Sequence, residues 1–218
     1  MTSHPGPCAR ILCVTDDPEF ARSTVVEPIR SHLRFAHVSG RTICPCGEPH
    51  RLDDGFDIRL FAGARALASH SPSRDGSLDI GIDRDAPSEL AFAHVVASDA
   101  AEAVRHLIEG LVIEGLIGYS IDVLTAFFSA PRVFDFATAR GNTLDATLTR
   151  RLLDALPPSD RRGDVHVGMS VGTDVTLLQL LGTSEMVYDS FHDSFNFAYY
   201  ATMAGEQNVW LSATAARR

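Results

Sequence analysis

Residues Met186 to Ser212 read MVYDSFHDSFNFAYYATMAGEQNVWLS. The apolar run ending at Tyr188 suggests a short strand. Asp189 to Ser194 is polar and suits a tight turn. Phe195 to Ala204 then has the look of a helix, because Asp193 or Ser194 can accept its orphan N–H groups and Gly205 stands where a left-handed residue stops a helix. Asn208 to Leu211 predicts a second strand. Strand, turn, helix and strand in so little chain make a compact α/β unit. It projects Asp189 and Asn196 from the ends of elements, where sites are built.

Working back from this unit, Val165 to Gly172 (VHVGMSVG) alternates like a strand, and Thr176 to Gly182 leads on from it. Asn142 or Thr143 starts a helix running through Leu156, with Leu144, Leu148, Leu152 and Ala155 on one stripe and Pro157-Pro158 as its stop. Val112 to Phe128 predicts a hairpin turning near Gly118 to Ile121. Ser88 to Glu109 is the longest helical candidate, with apolar residues recurring at three and four from Leu90 to Leu111. His94 and His106 lie off that stripe and read as solvated. His70 to Pro87 reads as a loop, and Phe56 to Ala62 (FDIRLFA) as a central strand.

The first 55 residues differ in character. Arg10 to Val14 is an apolar run, Asp16-Asp17 follows, and Pro18 to Leu33 carries a helical stripe. This opening resembles that of a phosphoreceiver domain, but such a domain also needs a late lysine, and the chain has none. The preferred reading is an added βα unit. Thr42 to His50 (TICPCGEPH) holds Cys44, Cys46 and His50, a poor spacing for structural zinc, so a turn with idle thiols is preferred.

The 218 residues allow one domain with an appendage, and 45% apolar content is ordinary for a globular protein. A net charge of −9 speaks against nucleic acid or an anionic membrane surface as partner. The missing lysine removes Schiff-base, lysine-base and P-loop chemistry. With no signal peptide and no apolar run near 20 residues, the expectation is a cytoplasmic protein with reduced thiols.

Tyr188-Asp189 followed by Phe195-Asn196-Phe197-Ala198 resembles the C-terminal signature of class III adenylate and guanylate cyclases. Ile117-Gly118 with Phe127 or Phe128 and Pro131, the strand at Phe56, and Gly168 with Gly172 resemble further motifs of that family, in its order. The resemblance implies an α+β fold: a ferredoxin-like βαββαβ sandwich, antiparallel sheet with helices on one face, plus the N-terminal βα extension. Residues 1–55 would be the extension and 56–218 the cyclase-homology domain.

The same resemblance puts Gly63 and Tyr119 where the family has its two metal-binding aspartates, and Tyr200 where it has its transition-state arginine. None of these can hold Mg²⁺ or stabilise a developing phosphate charge. The expectation is therefore a catalytically inactive cyclase-like module with no cofactor. It would dimerise with itself, with another cyclase-type domain or with another protein. Asp189 and Asn196 remain, either as a vestigial nucleotide-binding pair or as turn and cap residues. The alternatives are a divergent cyclase using Asp122 with Asp57 or Asp79 and Mg²⁺ or Mn²⁺, and a nucleotide sensor that does not react.

Overall fold

In a computed structural model, residues 9–15, 36–42, 57–70, 76–112, 115–118, 120–157, 163–191, 196–203 and 208–217 are described. The expected helix over 18–33, the turn carrying Cys44, Cys46 and His50, the caps at Asp193 and Ser194, Gly205, and Tyr119 lie outside them.

The strands are β1 (Ala9–Thr15), β2 (Ala36–Thr42), β3 (Ile58–Ala62), β4 (Leu78–Asp83), β5 (Ala93–Val96), β6 (Gly115–Ile117), β7 (Val133–Gly141), β8 (Val165–Val171), β9 (Phe197–Met203) and β10 (Val209–Ala216). The helices are α1 (Ala64–Ala68), α2 (Ala100–Val112), α3 (Ile121–Phe128), α4 (Ala146–Ala155) and α5 (Leu177–Ser190). All ten strands form one sheet in the order β2-β1-β3-β4-β5-β7-β10-β8-β9-β6. Pairing is parallel from β2 through β7 and between β8 and β9; β10 and β6 run against their neighbours. The sheet thus runs unbroken from strands of the first 55 residues to the C-terminal strand.

Helices cover both faces. On one, α2 and α3 bury Val104, Leu107, Ile108, Leu124, Phe127 and Phe128 against Ile11, Ile58, Leu60, Ile80 and Val95. On the other, α4 and α5 pack Leu148, Leu152, Leu180 and Val187 onto Val165, Val167, Met169, Leu211 and Ala213. A side chain such as Leu152, 0% exposed, contributes roughly 1.5–3 kcal/mol by leaving water. Parallel strands covered twice must be apolar on both faces, which is why Ile58–Ala62 and Val165–Val171 are buried throughout.

This architecture overturns the ferredoxin-like expectation. The sheet is mostly parallel and covered on both faces, not antiparallel and covered on one. The deciding stretch is also read differently. Met186 to Tyr188 belongs to helix α5, which begins far upstream at a capping box: the Thr176 hydroxyl accepts from Gln179 N–H at 3.3 Å, and Gln179 Oε1 accepts from Thr176 N–H at 2.9 Å. Phe197 to Met203 is strand β9, paired along its length with β8. Its aromatic content favours a strand, and the α5 and β8 surfaces supply the burial.

Three other readings change. Residues 78–83, expected in a loop, form the buried strand β4. The long helix expected over Ser88–Glu109 is strand β5 followed by α2, whose start is set by Asp99: its Oδ1 accepts from Ala101 N–H at 2.9 Å and Glu102 N–H at 3.1 Å. The expected hairpin over 112–128 is the short strand β6 followed by α3. The strands β1, β3 and β8 stand where the sequence puts them; β10 runs on to Ala216, past the expected end at Leu211, and α4 begins at Ala146, capped by Asp145 at 2.8 Å from Leu148 N, instead of at Asn142 or Thr143. No described helix is long and apolar enough to cross a membrane.

Candidate functional site

In a parallel sheet of this kind, ligands sit outside the carboxyl ends of the strands, where the chain order reverses. Here β1 pairs with β2 on one side and β3 on the other, so the reversal lies between the ends of β1 and β3. Residues following β1, β2, β3, β4, β5 and β7 make this rim, and of these the stretch after β2 holds Gly47 and Gly55 while β7 ends at Gly141. A phosphate cradle there is built from glycine-rich backbone and a free helix N-terminus.

Among the described residues of this rim, neither is found. Residues 16–35, 84–92 and 97–99 contain no glycine. Gly63 stands alone after β3 with φ of 100°, and its N–H is spent on Ile82 O at 2.9 Å. The N-terminus of α2 is filled by the Asp99 carboxylate. Asp83, whose Oδ1 accepts from Arg84 N–H at 2.7 Å, and Asp85 add two more carboxylates, and Asp16-Asp17 follow β1 in the sequence. Arg65 and Arg84 are exposed among them. His94 supplies no cation: burial lowers its pKa, against the raising effects of the Asp85 carbonyl, 3.0 Å away, and the Asp83 charge. It is 1% exposed, not solvated as expected.

The second concentration of polar side chains lies between α2 and the sheet. His106 is wholly buried, again not solvated. Its Nδ1 lies 2.8 Å from Ser212 Oγ, and its Nε2 lies 2.9 Å from Nδ1 of His166. Burial holds His166 down at about 3 and, together with the neighbouring His166, holds His106 well below its ordinary value. Both rings are neutral, so one can donate to the other without repulsion. One turn along, Glu109 is 1% exposed and accepts from Arg105 Nε at 2.6 Å and from Thr202 Oγ1 at 2.5 Å. Arg105 also lies over the Trp210 ring at 4.6 Å. These groups bind each other across the sheet–helix seam; all are buried except Arg105, whose side chain is 29% exposed. Their hydrogen bonds tie α2 to β8, β9 and β10.

The residues singled out from the sequence do not converge. Gly63 follows β3, and Tyr200 sits in β9, six strand spacings away, about 29 Å at 4.8 Å each. Tyr200 is fully buried against Gly168, where an added Cβ would meet its hydroxyl at 2.4 Å. Asp189 is exposed on α5. Asn196 is exposed before β9, its N–H donating to Asp164 Oδ1 at 3.1 Å. Of the alternative carboxylates, Asp79 is held by Arg59 at 2.6 and 2.7 Å and by His70 at 2.8 Å, and Asp122 is exposed on α3. Among the described residues, no group of three or more His, Cys, Asp or Glu is placed to hold a metal.

No protein-family model and no curated protein matches the sequence. Solved structures do. An empty FtsZ dimer from M. jannaschii aligns at TM-score 0.71 and 12% identity, covering 96% of this chain and 88% of that one. The CetZ2 GTPγS-bound protofilament of Haloferax volcanii aligns at 0.57 and 11%, covering 96% and 94%. GDP-form TubZ protofilaments of Bacillus thuringiensis serovar israelensis align at 0.55 and 7%, covering 98% and 86%. The fold is that of FtsZ, CetZ and TubZ. With it the cyclase resemblance falls, and so do the inactive-cyclase reading and the cyclase-type partner. The glycines and apolar runs that carried them are general features of packed strands.

Sequence reasoning also missed a surface. Leu177, Leu178, Leu181 and Tyr188 of α5 are 41–79% exposed. The signal was present in Thr176-x-x-Gln179 opening a leucine-rich run. Tyr188 meets Phe197 edge-on at 5.5 Å, and Phe197 lies 5.8 Å from Tyr199.

Proposed function

We propose that this chain self-associates as a structural protein of the FtsZ fold, and that it does so without a bound nucleoside triphosphate. Three structures sharing the fold are a dimer and two protofilaments. The observation that carries the second half is the carboxylate-lined rim at the strand ends. Among the described residues, a triphosphate there would meet Asp83, Asp85 and Asp99 with no glycine-built backbone cradle. Two unit charges 4 Å apart at a protein surface interact by about 4 kcal/mol, so carboxylates next to phosphate oppose binding. The exposed leucines of α5 support an assembling role, since contiguous apolar surface marks contact sites.

Calorimetry with GTP, GDP and ATP in Mg²⁺ is the test. The reading expects no heat of binding up to millimolar nucleotide. A micromolar Kd for any of them would overturn the nucleotide-free half.

A further inference from the structure

We infer that His106 and His166 form an acid-labile clasp holding α2 to the second half of the sheet, and that below about pH 6 the clasp parts while each half of the molecule keeps its own core. Helix α2 has two unlike faces. Val104, Leu107 and Ile108 are anchored among Ile11, Ile58, Leu60, Ile80 and Val95 of β1, β3, β4 and β5. Towards β7, β10, β8 and β9 the helix turns Glu102, Arg105, His106 and Glu109, which meet Thr138, Arg140, Ser170, Ser212 and Thr202. The far face of those four strands has a separate core beneath α4 and α5. Strands β5 and β7, which join the halves, pair over three residues. Parting the polar seam therefore leaves both apolar cores in place.

The geometry of the clasp limits the protons it can hold. His106 Nε2 lies 2.9 Å from His166 Nδ1, so one nitrogen donates and the other accepts. A proton on both sets N–H against N–H, and the contact cannot survive. A single added proton leaves a cation in a wholly buried pocket walled by Phe127, Phe128 and Phe136. The charged groups at the seam are committed to each other, Arg105 to Glu109 on α2 and Arg140 of β7 to Glu102. From β9, Tyr200 faces both rings at 6.0 and 5.7 Å; β10 brings the Ser212 and Thr214 hydroxyls, and α3 its two phenylalanines.

Separated and hydrated, each ring takes up a proton near pH 6.5. The closed seam is therefore favoured above pH 6.5 and loses that advantage as the pH falls. From pH 7.5 to 5.0 the opening constant rises about 30-fold per ring, or about 10³-fold for the pair. Urea acts differently. Opening exposes little surface, so denaturant favours global unfolding over opening, whereas acid favours both alike. Acid without denaturant is the condition that separates them.

Trp210 reports the seam directly. It is the chain's one tryptophan, 2% exposed, with Arg105 over its ring at 4.6 Å. Its indole N–H has no acceptor among the described residues, and opening gives it water. Acrylamide quenching of Trp210 fluorescence from pH 7.5 to 5.0, recorded beside far-UV circular dichroism, reads the clasp in wild type, His166→Leu and His166→Gln. The expected outcome is quenching that rises severalfold in wild type while the dichroism holds, with a pH dependence approaching two protons in wild type and one in each variant. If Trp210 stays shielded at pH 5.0, or becomes accessible only as the dichroism is lost, the clasp is wrong even though acid destabilises the whole fold. A dependence as steep in both variants as in wild type would also overturn it, because the histidine pair would not be the sensor.

Discussion

Lowering the pH from 7.5 to 5.0 should destabilise the protein through the buried His106–His166 pair. Both rings are neutral in the fold because burial removes the water that would solvate a charge; His166 sits at about 3 and His106 is shifted the same way. Unfolded, each returns to near 6.5. Between those values the unfolded chain binds a proton that the folded chain does not. The stability is therefore fully present above pH 6.5 and is lost as the pH falls through 6.5 towards 3. Each pH unit in that window costs about 1.4 kcal/mol per histidine. For His166 alone the step to pH 5.0 amounts to roughly 2 kcal/mol, or a fall of about 4–8 °C in melting temperature for a chain of this size. His106 acts in the same direction. Carboxylates titrate mostly below this range, so they do not mask the slope. Differential scanning fluorimetry at half-unit steps gives the profile, and ring-proton NMR reports the native state separately. A flat melting temperature from pH 7.5 to 5.0, or a His166 ring that titrates near 6.5 in the folded protein, would refute the reasoning.

Two substitutions probe the same seam. Gly168→Ala places a Cβ 2.4 Å from the Tyr200 hydroxyl and 2.6 Å from Ser212 Oγ, both buried, and should cost on the order of 1–3 kcal/mol in urea unfolding; adding Tyr200→Leu should return part of the loss, and no recovery would contradict the packing described. Glu109→Ala strands Arg105 and the Thr202 hydroxyl at the helix–sheet seam, and should cost about 2–3 kcal/mol, somewhat below a fully buried pair because Arg105 is 29% exposed; an unchanged urea midpoint would show that the pair contributes nothing.

What was legible in the sequence was local, and what failed depended on partners far along the chain. Strands β1, β3, β8 and the first half of β10 were readable because their apolar runs are bounded by polar turns, and α4 because the Leu144–Leu148–Leu152 stripe ends at Pro157-Pro158, although its cap is Asp145 and not Asn142 or Thr143. Strand β9 misled because FAYYATM meets a helix on each side: Phe197 and Tyr199 face α5, while Tyr200 and Thr202 face α2. No alternation survives, and a capping residue before it and a glycine after it tipped the reading to a helix. Helix α5 misled in the opposite way. Leu177, Leu178 and Leu181 lie exposed and blur its stripe, so its last turn, Met186 to Tyr188, looked like a strand by itself. Strand β5 hid inside a run of small apolar residues continuous with α2, and only the Asp99 cap marks the join. At the site level, motif order was matched without spatial convergence: Gly63 and Tyr200 occupy corresponding places in a string and opposite reaches of the sheet.

The central claim, assembly of this fold without nucleotide, is tested most directly by sedimentation of protein freed of nucleotide and metal, with and without added GTP and Mg²⁺. Equal association in both conditions is the predicted result. Association that appears only with GTP and Mg²⁺ would contradict it.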